Sequence, residues 1–250
     1  MSLPRDIARH RLFWAWHRRI GIVAAVLVLV LSLTGLALNH TDRLRLDERF
    51  VTWGWLLDWY GIDPPSEAVS FQVRGGRVTL LGDRLYLDRE PLPGHYGLLA
   101  GAVPAGDFLA IAVDDRIMIV TEAGELVDRL GPESGVPNTV EAIGVDQAGQ
   151  LLLRSGKSLF GASAETLEWT AASPATAELR WASPEPVHGQ LLRDLQRDFR
   201  ARILPLERVL LDIHSGRIGG IVGTILMDAA AILLLMLAVT GSWLWFIRRG

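Results

Sequence analysis

Cysteine is absent from this 250-residue chain. That excludes disulfides, thiolate metal sites and cysteine nucleophiles, and it is compatible with an oxidising compartment without requiring one. Also absent are a Gly-rich phosphate loop, a nucleophile elbow and a metalloprotease helix pattern, so the central sequence carries a fold class and little chemistry. A net charge of −3 gives no basic footprint for nucleic acid. Charge is missing altogether between Ile20 and Leu38. That run is long enough to cross a bilayer core of roughly 30 Å at about 1.5 Å per residue. Ile218 to Ile247 is a second such run, with one charge, Asp228. It is longer than the core requires, so it tilts or projects at one end.

What is present is apolar surface: half the residues are hydrophobic, and the excess lies at the two ends. The first run follows a basic stretch, as a signal peptide does, but it exceeds the roughly 7–15 apolar residues of such a segment. Asn39-His40-Thr41-Asp42 stands where a small-x-small cleavage site would be, so the run is read as a retained helix. Arg5, Arg9, Arg11, Arg18 and Arg19 precede it and Arg248-Arg249 close the second run. Both termini are therefore expected on the cytoplasmic side of a bacterial inner membrane. Trp14, Trp16, Trp243, Trp245 and Phe246 form the aromatic belt of that face. From Thr41 to Ile213 there are 17 Lys plus Arg against 26 Asp plus Glu, an acidic loop that suits the periplasmic side.

The expected plan is an α+β membrane protein in which two transmembrane helices flank a mostly antiparallel-β extracytoplasmic domain. Its boundaries are a cytoplasmic tail over 1–13, a first span over 14–40, a β-rich domain over 41–189, an amphipathic helix over 190–213, a second span over 214–247 and a cytoplasmic end over 248–250. Val51 to Ile62 has the apolar spacing of a short helix, stopped by Pro64-Pro65. Beyond it a period of two predicts strands over 70–73, 77–81, 84–87, 108–113, 117–121, 126–130, 140–145, 151–155 and 158–162. Gly-Gly, Gly-Asp, Asp-Asp and Ala-Gly links join them as antiparallel hairpins. "AIAVDDRIMIVTEAGELV" and "AIGVDQAGQLLLRSGKSL" share one rhythm of strand, acidic turn and strand; repeated hairpins are the simpler reading, duplication the other. Gln190 to His214 returns to a helical period, with Pro205 as a point of breakage.

The two apolar runs carry matching words. The first reads His17-Arg18-Arg19-Ile20-Gly21, then Thr34-Gly35 and His40; the second reads His214-Ser215-Gly216-Arg217-Ile218-Gly219, then Thr240-Gly241. Imidazoles at the ends of paired helices are the donors that hold haem in bundles. His10, His95 and His188 lie in polar or Pro/Gly-rich sequence and are read as solvated, whereas His17, His40 and His214 flank membrane. His40 and His214 belong to the outer side and would hold one haem b. His17 belongs to the inner side, where a homodimer would supply it twice. Register is the difficulty. If Arg19 and Arg248 are level, His40 faces about Met227, which becomes a second candidate partner for it. His214 would then lie nearly 20 Å farther out on a straight helix at about 1.5 Å per residue, unless Gly216, Gly219, Gly220 and Gly223 bend the chain. Asp228, the one ionisable group inside a span, is a candidate for proton or propionate handling or for a bond to a partner helix. Thr34-Gly35 and Thr240-Gly241 are read as close-packing residues.

The opening "FWAWHRRIGIVAAVLVLVLSLTGLALNH" and the closing "LLDIHSGRIGGIVGTILMDAAAILLLMLAVTGSWLWF" resemble the membrane segments of PepSY-associated transmembrane proteins. Val51 to about Leu92 is similar in layout to a PepSY module. Members of that family include inner-membrane ferric-siderophore reductases that carry haem. The resemblance implies haem b on His17, His40 and His214 and electron transfer across the membrane to periplasmic ferric iron or a ferric siderophore. Well-studied reductases of the family usually have more spans than the two of this chain, and its intervening domain is more β-rich than a bare PepSY module. Two other readings stand beside it: a non-redox accessory subunit of a larger membrane complex, such as a respiratory one, and a PepSY-type peptidase regulator.

Overall fold

The computed structural model describes residues 5–162, 168–172 and 179–249; the side chains of residues 5–18, 20, 237 and 240–249 lie outside that description. In chain order the helices are α1 (Arg5–Leu38), α2 (Thr41–Leu44), α3 (Gly54–Trp59), α4 (Gly189–Arg200), α5 (Leu206–His214) and α6 (Gly220–Arg249). Two compact units result, one made of Met1–Tyr60 with Ala201–Gly250 and the other of Gly61–Arg200.

The first unit is helical. Two stretches are long and apolar enough to cross a membrane, Gly21–Leu38 in α1 and Arg217–Met236, which runs from just before α6 into it, and neither is buried within the chain. Such surface has no aqueous solution, so the helices meet lipid along most of their length. On α1 the half-buried positions Leu27, Val30, Leu31, Gly35 and Leu38, with buried Thr34 among them, form one stripe at helical spacing. The helix expected over 51–62 is shorter, and tertiary pairing is the reason. The Val51 N–H donates to the Leu204 carbonyl at 2.9 Å and Phe50 bridges Pro205, so the backbone there is extended. Gly61, with φ +66, ends the helical stretch on the other side. α3 turns Leu56 and Leu57 inward.

Among the described residues the second unit contains three antiparallel sheets. The first is β1 (Ala68–Val73), β2 (Gly76–Leu81), β3 (Arg84–Leu87) and β4 (Glu90–Pro91), in that order. The next is β5 (Leu99–Ala105), β6 (Phe108–Val113), β7 (Arg116–Thr121) and β8 (Leu126–Leu130). The last is built from β9 (Ala142–Val145), β10 (Leu151–Ser155), β11 (Ser158–Ala162), β12 (Thr170–Ala172) and β13 (Arg180–Trp181), in the order β12-β11-β10-β9-β13. Every strand expected from the period of two is present. β4, β5, β12 and β13 are additional. β5 was hidden by Gly101 and Pro104, and a proline is tolerated there because β5 is an edge strand.

The middle sheet packs on both faces. Phe71, Val78, Leu85, Leu99, Ile111 and Met118 fill the core on one side, and Val103, Ala110, Ile117, Ile119, Ile143 and Leu153 fill it on the other. That is why β6 and β7 read as nearly continuous apolar runs, the pattern of strands covered on both sides. The two sequences with a shared rhythm occupy equivalent places: β6-β7-β8 in one sheet, β9-β10-β11 in the next. The neighbouring edge is filled by β5 in the first case and by β13, from the far end of the unit, in the second.

The helix expected over 190–213 is two helices, α4 and α5, with Pro205 as the N-cap residue of α5. α4 lays Leu195 against Leu81 and Tyr86, with Leu191, Leu192 and Phe199 beside it. The Tyr86 hydroxyl donates to Asp198 Oδ2 at 3.3 Å, and Arg84 stacks over the Phe199 ring at 5.1 Å.

Candidate functional site

α5 runs along the end of α1 in the opposite direction. Its first residues are tied to the chain just beyond α1, with the Leu206 N–H donating to Arg49 O at 2.7 Å and the Glu207 N–H to Leu46 O at 3.0 Å. Its last residue, His214, reaches Thr34 and Gly35, one turn back inside α1. His214 Nδ1 lies 2.8 Å from Thr34 Oγ1. The Thr34 hydroxyl also sits 2.7 Å from the carbonyl of Val30. A hydroxyl has one proton, and the carbonyl can only accept, so that proton goes to Val30 O. Toward the histidine the oxygen therefore accepts, and Nδ1 carries the ring proton. Nε2 is left with a free lone pair and no partner among the described residues. Gly35 makes room for the ring: a Cβ there would stand 3.3 Å from His214 Cε1. The Thr-Gly word of one apolar run thus receives the histidine word of the other. Thr34-Gly35 do serve close packing, but what they pack is an imidazole.

The glycines between α5 and α6 make this possible. Gly216 (φ +76) and Gly220 (φ +63) adopt backbone conformations that L side chains rarely enter, and Arg217–Gly219 form one 3₁₀ turn between them. The chain then passes itself, with the Gly216 backbone against the Gly223 carbonyl and the Gly223 backbone against the Gly216 carbonyl. Gly216 and Gly223 are therefore level, and seven residues are used with no net descent. At about 1.5 Å per residue this removes roughly 10 Å from the straight-helix register. The rest of the shift comes from the antiparallel course of α5 along α1, which seats His214 beside Thr34 rather than beyond His40.

Above His214 lies a polar cluster that sequence reasoning did not single out. Asp212 is only 3 % exposed. Its Oδ2 accepts from the Tyr60 hydroxyl at 3.0 Å and from Arg208 Nε at 3.1 Å. Oδ1 is buried without a hydrogen-bond partner among the described residues, as is the Ser215 hydroxyl, and the spacing of three residues puts both on one side of the end of α5. Burial, and then the hydrogen bond and charge of Asp212, push the Tyr60 phenol up to about 12 from its ordinary 10.0. A raised phenol pKa contributes stability that is complete below pH 10 and is lost as pH rises through about 12. Tyr60→Phe should flatten that part of an alkaline denaturation curve. Unchanged alkaline behaviour would mean that the bond to Asp212 is not made in solution. The one sequence signal for this cluster was Asp212 itself, an acidic residue at helical spacing from the apolar Val209.

The remaining candidates are placed as follows. His40 precedes α2, its ring makes no hydrogen bond among the described residues, and it lines an open hollow of about 450 Å³ with Leu38, Asn39, Thr41, Asp42, Arg43 and Glu207. Among the described residues no hydrogen bond joins it to His214. Met227 packs over Gly216, where an added Cβ would meet its Cγ at 2.8 Å. Asp228, on α6, is exposed and has no partner among the described residues. His17 lies on α1, with its side chain outside the described residues, as are the side chains of Thr240, Gly241, Trp14, Trp16, Trp243, Trp245 and Phe246. His95 pairs with Asp83 at 2.7 Å on the surface of the β-rich unit, and His188 is exposed. Among the described residues no group of three or more His, Asp or Glu side chains converges as a metal-binding cluster.

The family model for the PepSY-associated TM region matches residues 3–248. No protein of curated function and no solved structure was found to be similar to the chain.

Proposed function

The chain belongs to the PepSY-associated TM family, and from that premise we propose that it is a haem b protein of the bacterial inner membrane. In this reading both termini are cytoplasmic, and electrons pass from a donor on the inner side toward periplasmic ferric iron or a ferric siderophore. The observation that carries it is His214. Its Nδ1–H is committed to Thr34, so the imidazole is held in the tautomer that presents an unencumbered Nε2, as an axial haem ligand requires. Gly35 keeps the ring edge clear, and the α1 surface around it is apolar, which suits a largely apolar macrocycle.

When bound, haem supplies one-electron chemistry, and its potential follows from the axial ligands and the polarity around them. The chain's own residues do the rest. Thr34 orients the ring, the Gly216–Gly223 crossing sets its depth, and Arg208 carries positive charge at the outer end of α5. His40 is the candidate for a second outer ligand, with Met227 as the alternative. His17 is the corresponding ligand at the inner face. The exposed Asp228 favours a homodimer or a larger membrane complex, because a carboxylate inside a bilayer is costly without a protein or water partner. Asp228 would then contact that partner or handle protons or propionates. A reduced-minus-oxidised spectrum of the purified protein, with pyridine haemochrome quantitation per chain, tests the reading. A b-type band in stoichiometric amount is expected, and its absence from protein made with ample haem sinks the proposal.

A further inference from the structure

The segment after α1 carries a surface that neither the spans nor the candidate ligand site explains. Trp53, Trp55 and Trp59 are 60 %, 68 % and 67 % exposed, while Leu56 and Leu57 of the same short helix are buried. The Trp53 and Trp55 rings stack at 6.3 Å between centroids and 8° between planes. Their indole N–H groups have no partner among the described residues. Phe50, three residues before Trp53, is also 42 % exposed. Indoles are the largest apolar groups the chain can display, and three together on one surface are costly in water.

We propose that this patch is a lipid-seated footing, lying at the boundary between headgroups and acyl chains of the outer leaflet. Its place in the fold favours lipid over a protein partner. The Trp59 Nε1–H donates to the carbonyl of Ile218 at 3.1 Å, and Ile218 lies in the 3₁₀ turn that opens the apolar stretch Arg217–Met236, long enough to cross a membrane. The patch is therefore continuous with the membrane-facing surface and level with one end of the span. An indole at that depth keeps its ring in the acyl region and its N–H in reach of headgroups or water, which is why tryptophan gathers at bilayer interfaces. The footing pins the height of the α5–α6 break. Through Gly216 it also fixes how deep His214 sits, whether or not haem is bound.

The test uses the full chain reconstituted alone in phosphatidylcholine vesicles. The acyl chains are brominated either near the headgroup or near the methyl end, and tryptophan emission is compared with that of the W53F/W55F/W59F variant. Phenylalanine retains much of the ring packing, and single W55F serves as the check should the triple variant express poorly. The emission lost in the variants should be the component quenched strongly by shallow bromines and weakly by deep ones. If that lost component is unquenched by either lipid, the indoles stand in water and await a protein partner, and the proposal is overturned. If deep bromines quench it more strongly, the patch is buried in the acyl core, and the interfacial footing is likewise overturned.

Discussion

His214→Ala is expected to remove haem from the purified protein, abolishing the b-type band while leaving the β-rich unit folded. The expectation rests on the free Nε2 created by the Nδ1 bond to Thr34, and neighbouring substitutions separate ligation from packing. Thr34→Val retains the shape of the side chain but cannot accept the ring N–H, so the imidazole loses its fixed orientation and tautomer. Loss of such a supporting partner typically costs on the order of 10–100-fold in affinity, and haem titration of the apo-protein would read it. Gly35→Leu fills the space beside Cε1 and should displace the ring entirely, giving the phenotype of His214→Ala. His40→Ala distinguishes the ligand schemes. If His40 is the second outer ligand, the reduced spectrum changes and affinity falls with the iron still bound. If it is not, the spectrum stays that of the parent. An unchanged haem content in His214→Ala would remove the basis of the proposed function.

Most of the architecture could be read from periodicity because burial and chain period coincide. The strands of the β-rich unit alternate or run apolar according to how many of their faces are covered. The two spans announce themselves by lacking charge. What could not be read was geometry made by glycine. Gly216, Gly220 and Gly223 were visible as a series, but nothing local says that two of them touch through seven residues of chain. The depth of His214 follows from that crossing together with the antiparallel course of α5 along α1, so a straight-helix register put it beyond His40 instead of beside Thr34. The shortened α3 is a similar case: the helical spacing of 51–62 is real, yet the bridge of Phe50 to Pro205 uses the backbone first. The polar cluster at Asp212 escaped because its partners, Tyr60 and Arg208, come from distant and near sequence at once, and Tyr60 reads as an aromatic on an apolar helix until the fold brings it to a carboxylate.

The glycine crossing also yields the sharpest structural expectation. A methyl at Gly223 would be driven into the Gly216 carbonyl, and a methyl at Gly216 into the Gly223 carbonyl and the Met227 side chain. Backbone cannot step aside as a flexible side chain can, so Gly223→Ala should cost about 3 kcal/mol from overpacking. Gly216→Ala adds about 1–2 kcal/mol because an L residue must hold a left-handed conformation. Both variants should lower the thermal midpoint of the protein in detergent. They should also lower haem content, since a displaced break moves His214 away from Thr34. Gly21→Ala is the control, because a Cβ there meets nothing within 4 Å and alanine favours the helix; it should leave both readouts at the parent value. The decisive comparison is between Gly223→Ala and Gly21→Ala, each one methyl added to a glycine of a membrane-spanning helix. Equal behaviour would mean that the crossing is absent in the membrane. The straight-helix register would then return, with His214 outside His40 and unable to share a ligand with α1.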